Sequence, residues 1–213
     1  MSCFPIDEKV SDHHVKNIEK KGGVVIKSIG SIRFVRMSEV SEADAETVRL
    51  MRNHPETRKY MYTDHCISPE EHRKWLDGLR ENQSIRVFVI YRDSQPIGVA
   101  TYDQISKRNL TAYGGLYLDP ETRGSSVYVL AQYALLQYAF EVMGLEKMNC
   151  ETLETNLHLV KLLKRFGFEE EGLRRSNIVK GGVRVGVRLL GQTADEWDAV
   201  KGKFKAFLKR YGG

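Results

Sequence analysis

One stretch constrains the fold of this chain most: a strand pattern that leads directly into a long helix. Residues 112–118 show a strand pattern, and residues 127–143 place apolar side chains at helical spacing. Gly144 predicts the end of that helix. Together with the strands and helices indicated elsewhere, this stretch predicts an α/β fold.

Strand and helix signals alternate along the rest of the chain. Ser41, with an acid three residues later, and Ser68, followed by Pro69, predict two helix N-termini before the long helix. Gly181 and Gly182 predict a hairpin turn between two strands. The other predicted elements are strands at 24–26, 32–35, 87–90, 96–100 and 147–153, and a helix at 157–165.

The patterns divide the chain into one domain with two terminal segments. Residues 1–23 show little apolar periodicity and predict a flexible N-terminal extension. Residues 24–192 carry the domain, since a chain of 213 residues favours a single core. A capped helix with an apolar stripe begins at Thr193, so residues 193–213 are predicted to pack on the domain.

Composition excludes several classes of protein. Hydrophobic residues make up 41% and charged residues 29%, which excludes a disordered or fibrous chain. Cys3, Cys66 and Cys150 have no CxxC spacing, so neither a zinc site nor a disulfide framework is indicated, and a reducing cytoplasm fits best. No apolar run has membrane-spanning length, and a net charge of +5 is weak evidence for any anionic partner. The sequence predicts no membrane or nucleic-acid partner and is compatible with a homodimer.

The order of elements resembles the GNAT superfamily of acetyltransferases from about residue 31 to residue 190. Residues 119–124, Asp-Pro-Glu-Thr-Arg-Gly, stand where that family enters the loop that holds the coenzyme A pyrophosphate. Asn156, Gly167-Phe168, Glu170-Glu171-Gly172 and Arg174 resemble its closing N…GF…EG…R pattern. The resemblance implies a mixed, mostly antiparallel sheet that is splayed at its centre and flanked by helices. It also implies acetyl-CoA as the co-substrate, with no metal ion.

The resemblance assigns ten residues to acetyl-CoA. The amides and dipole of a helix N-terminus bind a pyrophosphate well, and backbone amides of the fourth strand would hold the oxyanion of the reaction. Asn156 would contact the coenzyme or cap the helix that follows, and the sequence leaves both roles open. The assigned residues are Leu116, Tyr117, Leu118, Arg123, Gly124, Ser125, Ser126, Val127, Tyr128 and Asn156.

Three residues, Ser126, Tyr128 and Leu163, depart from the family pattern. The family has R-G-x-G-x-G or R-G-x-G-x-A, whereas residues 123–128 read Arg-Gly-Ser-Ser-Val-Tyr. Tyr128 therefore places a ring where the family leaves room for the coenzyme. Leu163 stands where much of the family has a tyrosine that protonates the leaving thiolate, and leucine cannot donate a proton. These departures leave open a catalytically degenerate GNAT fold that serves as a binding module.

Motifs in the N-terminal half of the chain narrow the choice of acceptor substrate. Met51-Arg52-Asn53-His54-Pro55, Tyr60-Met61, Ile67-Ser68 and Glu71-His72 resemble the acetyltransferases of the pseudaminic acid pathway. Those enzymes N-acetylate the 4-amino group of a UDP-linked amino-deoxy sugar for flagellin glycosylation. A guanidinium and an imidazole can meet the diphosphate and the sugar hydroxyls, and a methionine suits a deoxy methyl group. The implied substrate-binding residues are Arg52, Asn53, His54, Met61 and His72.

Glu151 is the predicted catalytic residue. It lies on the strand before Asn156, where the family often keeps a carboxylate that accepts a proton from the acceptor ammonium, directly or through water. Glu151 could instead be an ordinary carboxylate on a solvated strand face. Likewise, Arg52 could be an ordinary surface charge and His72 a structural histidine instead of substrate-binding residues. The other enzymatic alternative is a ribosomal-protein type of N-terminal acetyltransferase, which shares the Asp-Pro-x-x-Arg-Gly and Gly-Phe motifs.

Overall fold

The computed structural model describes residues 32–122 and 126–211, and a seven-stranded sheet forms its centre. β-branched and aromatic residues are frequent in the central strands because they fit a pleated, buried surface. The strands are β1 (Ile32–Arg36), β2 (Arg86–Arg92), β3 (Gln95–Ser106), β4 (Thr111–Leu118), β5 (Lys147–Leu153), β6 (Glu169–Lys180) and β7 (Val183–Thr193).

The sheet is mixed, with the order β1-β2-β3-β4-β5-β7-β6. Neighbouring strands are antiparallel except for β4 and β5, which are parallel. A parallel pair needs a crossover connection, and the long helix between β4 and β5 supplies it. The predicted fold class is confirmed by this sheet. The predicted strand at 24–26 and the N-terminal extension at 1–23 lie outside the described residues.

Helices flank the sheet, and serine side chains cap the N-termini of two of them. The Ser41 hydroxyl accepts a 3.1 Å hydrogen bond from the Asp44 N–H, and Ser68 caps Glu71 in the same way at 3.1 Å. Both N-termini are confirmed as predicted. The helices in the described residues are α1 (Glu42–Asn53), α2 (Pro55–Arg58), α3 (Pro69–Glu81), α4 (Ser126–Gln137), α5 (Leu157–Arg165), α6 (Ala194–Lys201) and α7 (Lys205–Tyr211).

The predicted helix over 127–143 is confirmed with nearly the same bounds, and it changes type near its C-terminal end. The α-helix stops at Gln137, and a π-helical turn follows over Tyr138–Val142. The buried Tyr102 hydroxyl donates a 2.6 Å hydrogen bond to the Leu135 carbonyl, three residues before the first residue of this turn.

The two faces of the sheet carry separate apolar clusters. Alternation along β2 sends Phe88 and Ile90 into the main cluster with α4 and α5, and Val87 and Val89 into a second cluster with α1 and α3. The completely buried Trp197 of α6 joins the main cluster. Two helices, α6 and α7, stand where the sequence predicts one after Thr193, because a 3₁₀ turn begins at Gly202.

Candidate active site

The sheet opens between β4 and β5. These two strands pair at only three positions, from Thr111 with Lys147 to Tyr113 with Asn149, although both continue beyond them. Within the described residues, residues 114–118 therefore have no partner strand on that side. Their outward backbone N–H groups are free to bind a ligand, since a peptide amide needs a hydrogen-bond acceptor.

Glu151 lies on β5 beyond the last paired position, and two side chains hold its carboxylate. The Tyr62 hydroxyl donates to Oε2 at 2.6 Å, and an N–H of Arg174 donates to Oε1 at 2.7 Å. The Glu151 side chain is 20% exposed, so a ligand can still reach it. Partial burial and the hydrogen bond to Glu151 raise the pKa of Tyr62, which keeps that hydroxyl a proton donor at neutral pH.

Arg52 brings a guanidinium with unused hydrogen-bonding capacity to the same region. One terminal nitrogen donates to Thr63 Oγ1 at 3.0 Å, while the other is buried and has no partner among the described residues. Burial lowers the pKa of Arg52, although the nearby Tyr117 of β4 opposes the shift. An arginine remains charged under such conditions, so the free N–H groups attract an anionic ligand.

The other predicted substrate-binding residues differ in how their polar groups are used. Asn53 exchanges two 2.8 Å hydrogen bonds with the backbone of Ile67, and the His54 ring accepts from Glu56 N–H at the start of α2. Met61 is half-buried next to Tyr62. Arg52 and Met61 therefore belong with the segment that reaches Glu151, while the side chains of Asn53 and His54 stabilise local structure.

His72 lies on α3 against α1 and is buried. Its ring stacks on Trp75 with a centroid distance of 5.4 Å, and its Nε2 has no partner among the described residues. Burial, with help from the charge of Arg49, lowers the pKa of His72, and Glu46 opposes the shift. The neutral ring suits a structural position between two helices.

Six of the residues predicted to bind acetyl-CoA lie on the open part of β4 or at the start of α4. Leu118 is buried, Leu116 packs on the main cluster and Tyr117 on the second. Ser126 and the buried Val127 begin α4. Arg123, Gly124 and Ser125 lie outside the described residues.

Tyr128 and Leu163, two of the three departures from the family pattern, both pack on the main cluster. The Tyr128 ring is half-buried there, and burial raises the pKa of its hydroxyl, with a smaller contribution from the nearby Cys150. Leu163 is only 2% exposed. Asn156 caps α5 by accepting a 3.4 Å hydrogen bond from the Leu159 N–H.

Sequence patterns alone do not identify three residues of this site: Tyr62, Thr63 and Arg174 as partners of Arg52 and Glu151. Tyr62 follows Met61 directly in the acceptor string, and Arg174 belongs to the closing motif. These positions within the motifs were the only sequence signals that could have pointed to Tyr62 and Arg174. Neither indicates a contact with Glu151 across 89 or 23 residues of chain.

The mixed sheet, open between β4 and β5, and the carboxylate beside the opening agree with the family that the sequence matches. The Acetyltransferase (GNAT) domain family matches residues 34–169, and the chain belongs to that family. It is a GNAT-type N-acetyltransferase, as the motifs predict.

Among its relatives, Acetyltransferase PseH of Campylobacter jejuni is 25% identical over 138 residues, which cover 63% of this chain and 85% of PseH.

Solved structures agree on the fold. A Vibrio cholerae spermidine N-acetyltransferase in complex with CoA and spermine has a TM-score of 0.73 at 18% identity, over 78% of this chain and 98% of that chain. RimL, a ribosomal L7/L12 alpha-N-protein acetyltransferase in complex with coenzyme A, has a TM-score of 0.70 at 18% identity, over 81% of this chain and 99% of that one.

Two observations concern membranes and metal ions. No helix in the described ranges is long and apolar enough to cross a lipid bilayer. Residues 32–122 and 126–211 also contain no group of three or more His, Cys, Asp or Glu side chains that could hold a metal ion.

Proposed function

We propose that this enzyme transfers the acetyl group of acetyl-CoA to the 4-amino group of a UDP-linked amino-deoxy sugar, the step of pseudaminic acid biosynthesis that leads to flagellin glycosylation. The observation that carries the proposal is one segment that contacts both Arg52 and Glu151 beside the opening of the sheet: Thr63 accepts from Arg52, and Tyr62 donates to Glu151. Arg52 is half-buried, and one of its terminal nitrogens is buried without a partner among the described residues. Similarity to PseH supports the same pathway. The three cysteines, which have no CxxC spacing, favour the cytoplasm as its compartment.

Glu151 would supply the base. An amine is protonated at neutral pH, and it must lose a proton before it attacks a thioester carbonyl. Tyr62 and Arg174 each donate to one oxygen of Glu151, which fixes the carboxylate and leaves lone pairs for the acceptor ammonium or a bridging water. The free backbone N–H groups of residues 114–118 would stabilise the negative charge that develops on the carbonyl oxygen.

Arg52 would bind the diphosphate. A planar guanidinium with free N–H groups forms charge-assisted hydrogen bonds with phosphate oxygens. Met61, in the same segment, would give an apolar surface to the deoxy methyl group. The positive charge of Arg52 disfavours a polycationic acceptor such as spermidine, because like charges repel.

Leu163 leaves the thiolate without the tyrosine that much of the family uses. The side chain is buried in the main cluster and cannot donate a proton. The pKa of a thiol such as that of coenzyme A resembles that of cysteine, about 8.5, so the thiolate can leave unaided or take a proton from water. The reaction then proceeds without that acid at a lower rate.

Substitution of Glu151 tests the assignment of the base. Glu151→Gln should lower kcat/KM for the nucleotide sugar by about 10²- to 10⁴-fold, the usual contribution of a general base, with little change in the Kd for acetyl-CoA. Glu170→Gln is a matched control, because Glu170 also accepts from an arginine, Arg188, at 2.8 Å. Equal kinetic effects of the two variants would contradict a catalytic role for Glu151.

A further inference from the structure

The segment that brings Tyr62 and Thr63 to the site has no regular structure of its own. Residues 59–67 connect α2 to α3 without forming a helix or strand. Such a segment loses much conformational entropy when it is fixed in one arrangement. Its two functional contacts, Tyr62 with Glu151 and Thr63 with Arg52, therefore require other interactions that fix its backbone.

Lys180 supplies those interactions from the far side of the sheet. It is the last residue of β6, and its side chain is only 12% exposed. Its Nζ donates to the carbonyl oxygens of Arg58 at 3.1 Å and Met61 at 2.8 Å, and it forms an ion pair with Asp64. An ammonium has three N–H groups, and each has an oxygen partner here.

The adjacent hairpin turn strengthens the same attachment. Gly181 and Gly182 have φ angles of 53° and 80°, the left-handed values that a two-residue turn between antiparallel strands requires. The Gly181 N–H donates to Asp64 Oδ2 at 2.9 Å. The interaction with Lys180, followed by that of Gly181, lowers the pKa of Asp64, so the carboxylate stays charged.

We propose that Lys180 is a positioning residue of the acceptor site: it clamps residues 58–64 to the β6–β7 hairpin, so that Tyr62 meets Glu151 and Thr63 meets Arg52. This role rests on the proposed function for its kinetic consequence. The clamp holds the Met61 carbonyl, one residue before Tyr62, and so restrains the backbone next to the group that contacts the base. The partners of Lys180 do not include any of the described residues that are assigned to acetyl-CoA.

Hydrogen exchange measures the clamp without any substrate. In Lys180→Met, the hydrogen-bonded amides of Lys59, Tyr60 and Met61 should exchange about tenfold faster than in the wild type, because the charge-assisted hydrogen bonds of Lys180 no longer hold this backbone. Lys180→Arg keeps the charge and the donors, so it should restore part of the protection. Lys164→Met is the control, because it removes a lysine that also forms an ion pair but does not contact residues 58–64. Lys164 of α5 lies 2.8 Å from Glu170 of β6. Unchanged exchange at Lys59, Tyr60 and Met61 in Lys180→Met would overturn the clamp.

Steady-state kinetics with a UDP-linked 4-amino-4,6-dideoxy sugar measure the consequence for the acceptor. Lys180→Met should raise the acceptor KM about tenfold and leave the acetyl-CoA KM unchanged, because only the acceptor segment is released. An equal rise in both KM values would reduce Lys180 to a general structural residue and overturn the positioning role. A wild-type enzyme that does not acetylate the sugar would contradict the proposed function alone, and the exchange result would then decide the clamp.

Discussion

The hydroxyl of Tyr62 donates a 2.6 Å hydrogen bond to the carboxylate of Glu151, two residues that are 89 positions apart in the chain. This contact joins the segment of the acceptor motif to the strand that carries the candidate base. It lies where β4 and β5 cease to pair, so it places that segment next to the opening of the sheet.

Removal of this hydroxyl tests its role. Tyr62→Phe should lower kcat/KM for the acceptor about tenfold or more, because a hydrogen bond to a charged group contributes about 1.5–3 kcal/mol. The matched control is Tyr91→Phe, since Tyr91 donates to the carboxylate of Asp44 at 2.8 Å away from the opening. The control should lose some stability and keep its kinetic constants. Tyr62→Phe with wild-type kinetics would show that the contact is only structural.

Tyr128 should limit the affinity for coenzyme A. Its ring is half-buried at the start of α4, where the family has glycine or alanine. Tyr128→Ala should tighten coenzyme A binding about tenfold, which corresponds to about 1.4 kcal/mol in calorimetric titration. Tyr128→Phe retains the ring and should leave the Kd unchanged. If the wild type binds tightly and the alanine variant weakly, the ring stacks on the coenzyme instead.

The C-terminal helices should contribute to the stability of the domain. Trp197 is completely buried, and its ring lies 5.1 Å from that of Tyr133 in α4. Trp197→Ala should lower the free energy of unfolding by about 3–5 kcal/mol, as expected for a large buried aromatic residue. Trp75 is 39% exposed, so Trp75→Ala should cost about 1 kcal/mol. Urea unfolding measures both, and similar losses would mean that residues 193–213 are not part of the core.

His72 should make stability depend on pH. Burial lowers its pKa in the folded chain, whereas an unfolded histidine binds a proton with a pKa of about 6.5. The unfolded state therefore binds more protons below that pH, and stability should fall as the pH decreases from 7.5 to 5.5. His72→Phe should reduce this fall in the urea midpoint, whereas substitution of the exposed His158 should not. An unchanged fall in His72→Phe would contradict the buried, neutral ring.

Local sequence signals predict much of the fold. Ser41 and Ser68 mark the helix starts because capping depends on residues close in sequence, and Gly181-Gly182 marks the hairpin for the same reason. The π-helical turn after Gln137 was not predictable, because no local residue pattern marks it, and the hydrogen bond from Tyr102 to the nearby Leu135 carbonyl joins residues 33 positions apart. The opening of the sheet was expected only from the family resemblance.

The candidate site shows the same limit. Arg52 and Glu151 were nominated from motifs, and their roles remain predictions. Their partners Thr63, Tyr62 and Arg174, and the attachment of Met61 to Lys180 across 119 residues, depend on tertiary contacts that no short pattern encodes. Polar contacts between distant segments form only when the whole sheet is assembled.

Inhibition by free UDP, measured in the wild type and in Arg52→Ala, tests the proposed acceptor most directly. UDP should compete with the acceptor and not with acetyl-CoA, and Arg52→Ala should raise its inhibition constant about tenfold or more, because a charged hydrogen bond to a diphosphate contributes about 1.5–3 kcal/mol. The same variant should raise the acceptor KM more than it lowers kcat, since the diphosphate is held equally in the ground and transition states. If UDP does not inhibit the enzyme while a peptide with a free N-terminus is acetylated, the acceptor is a protein terminus and the nucleotide-sugar assignment is wrong.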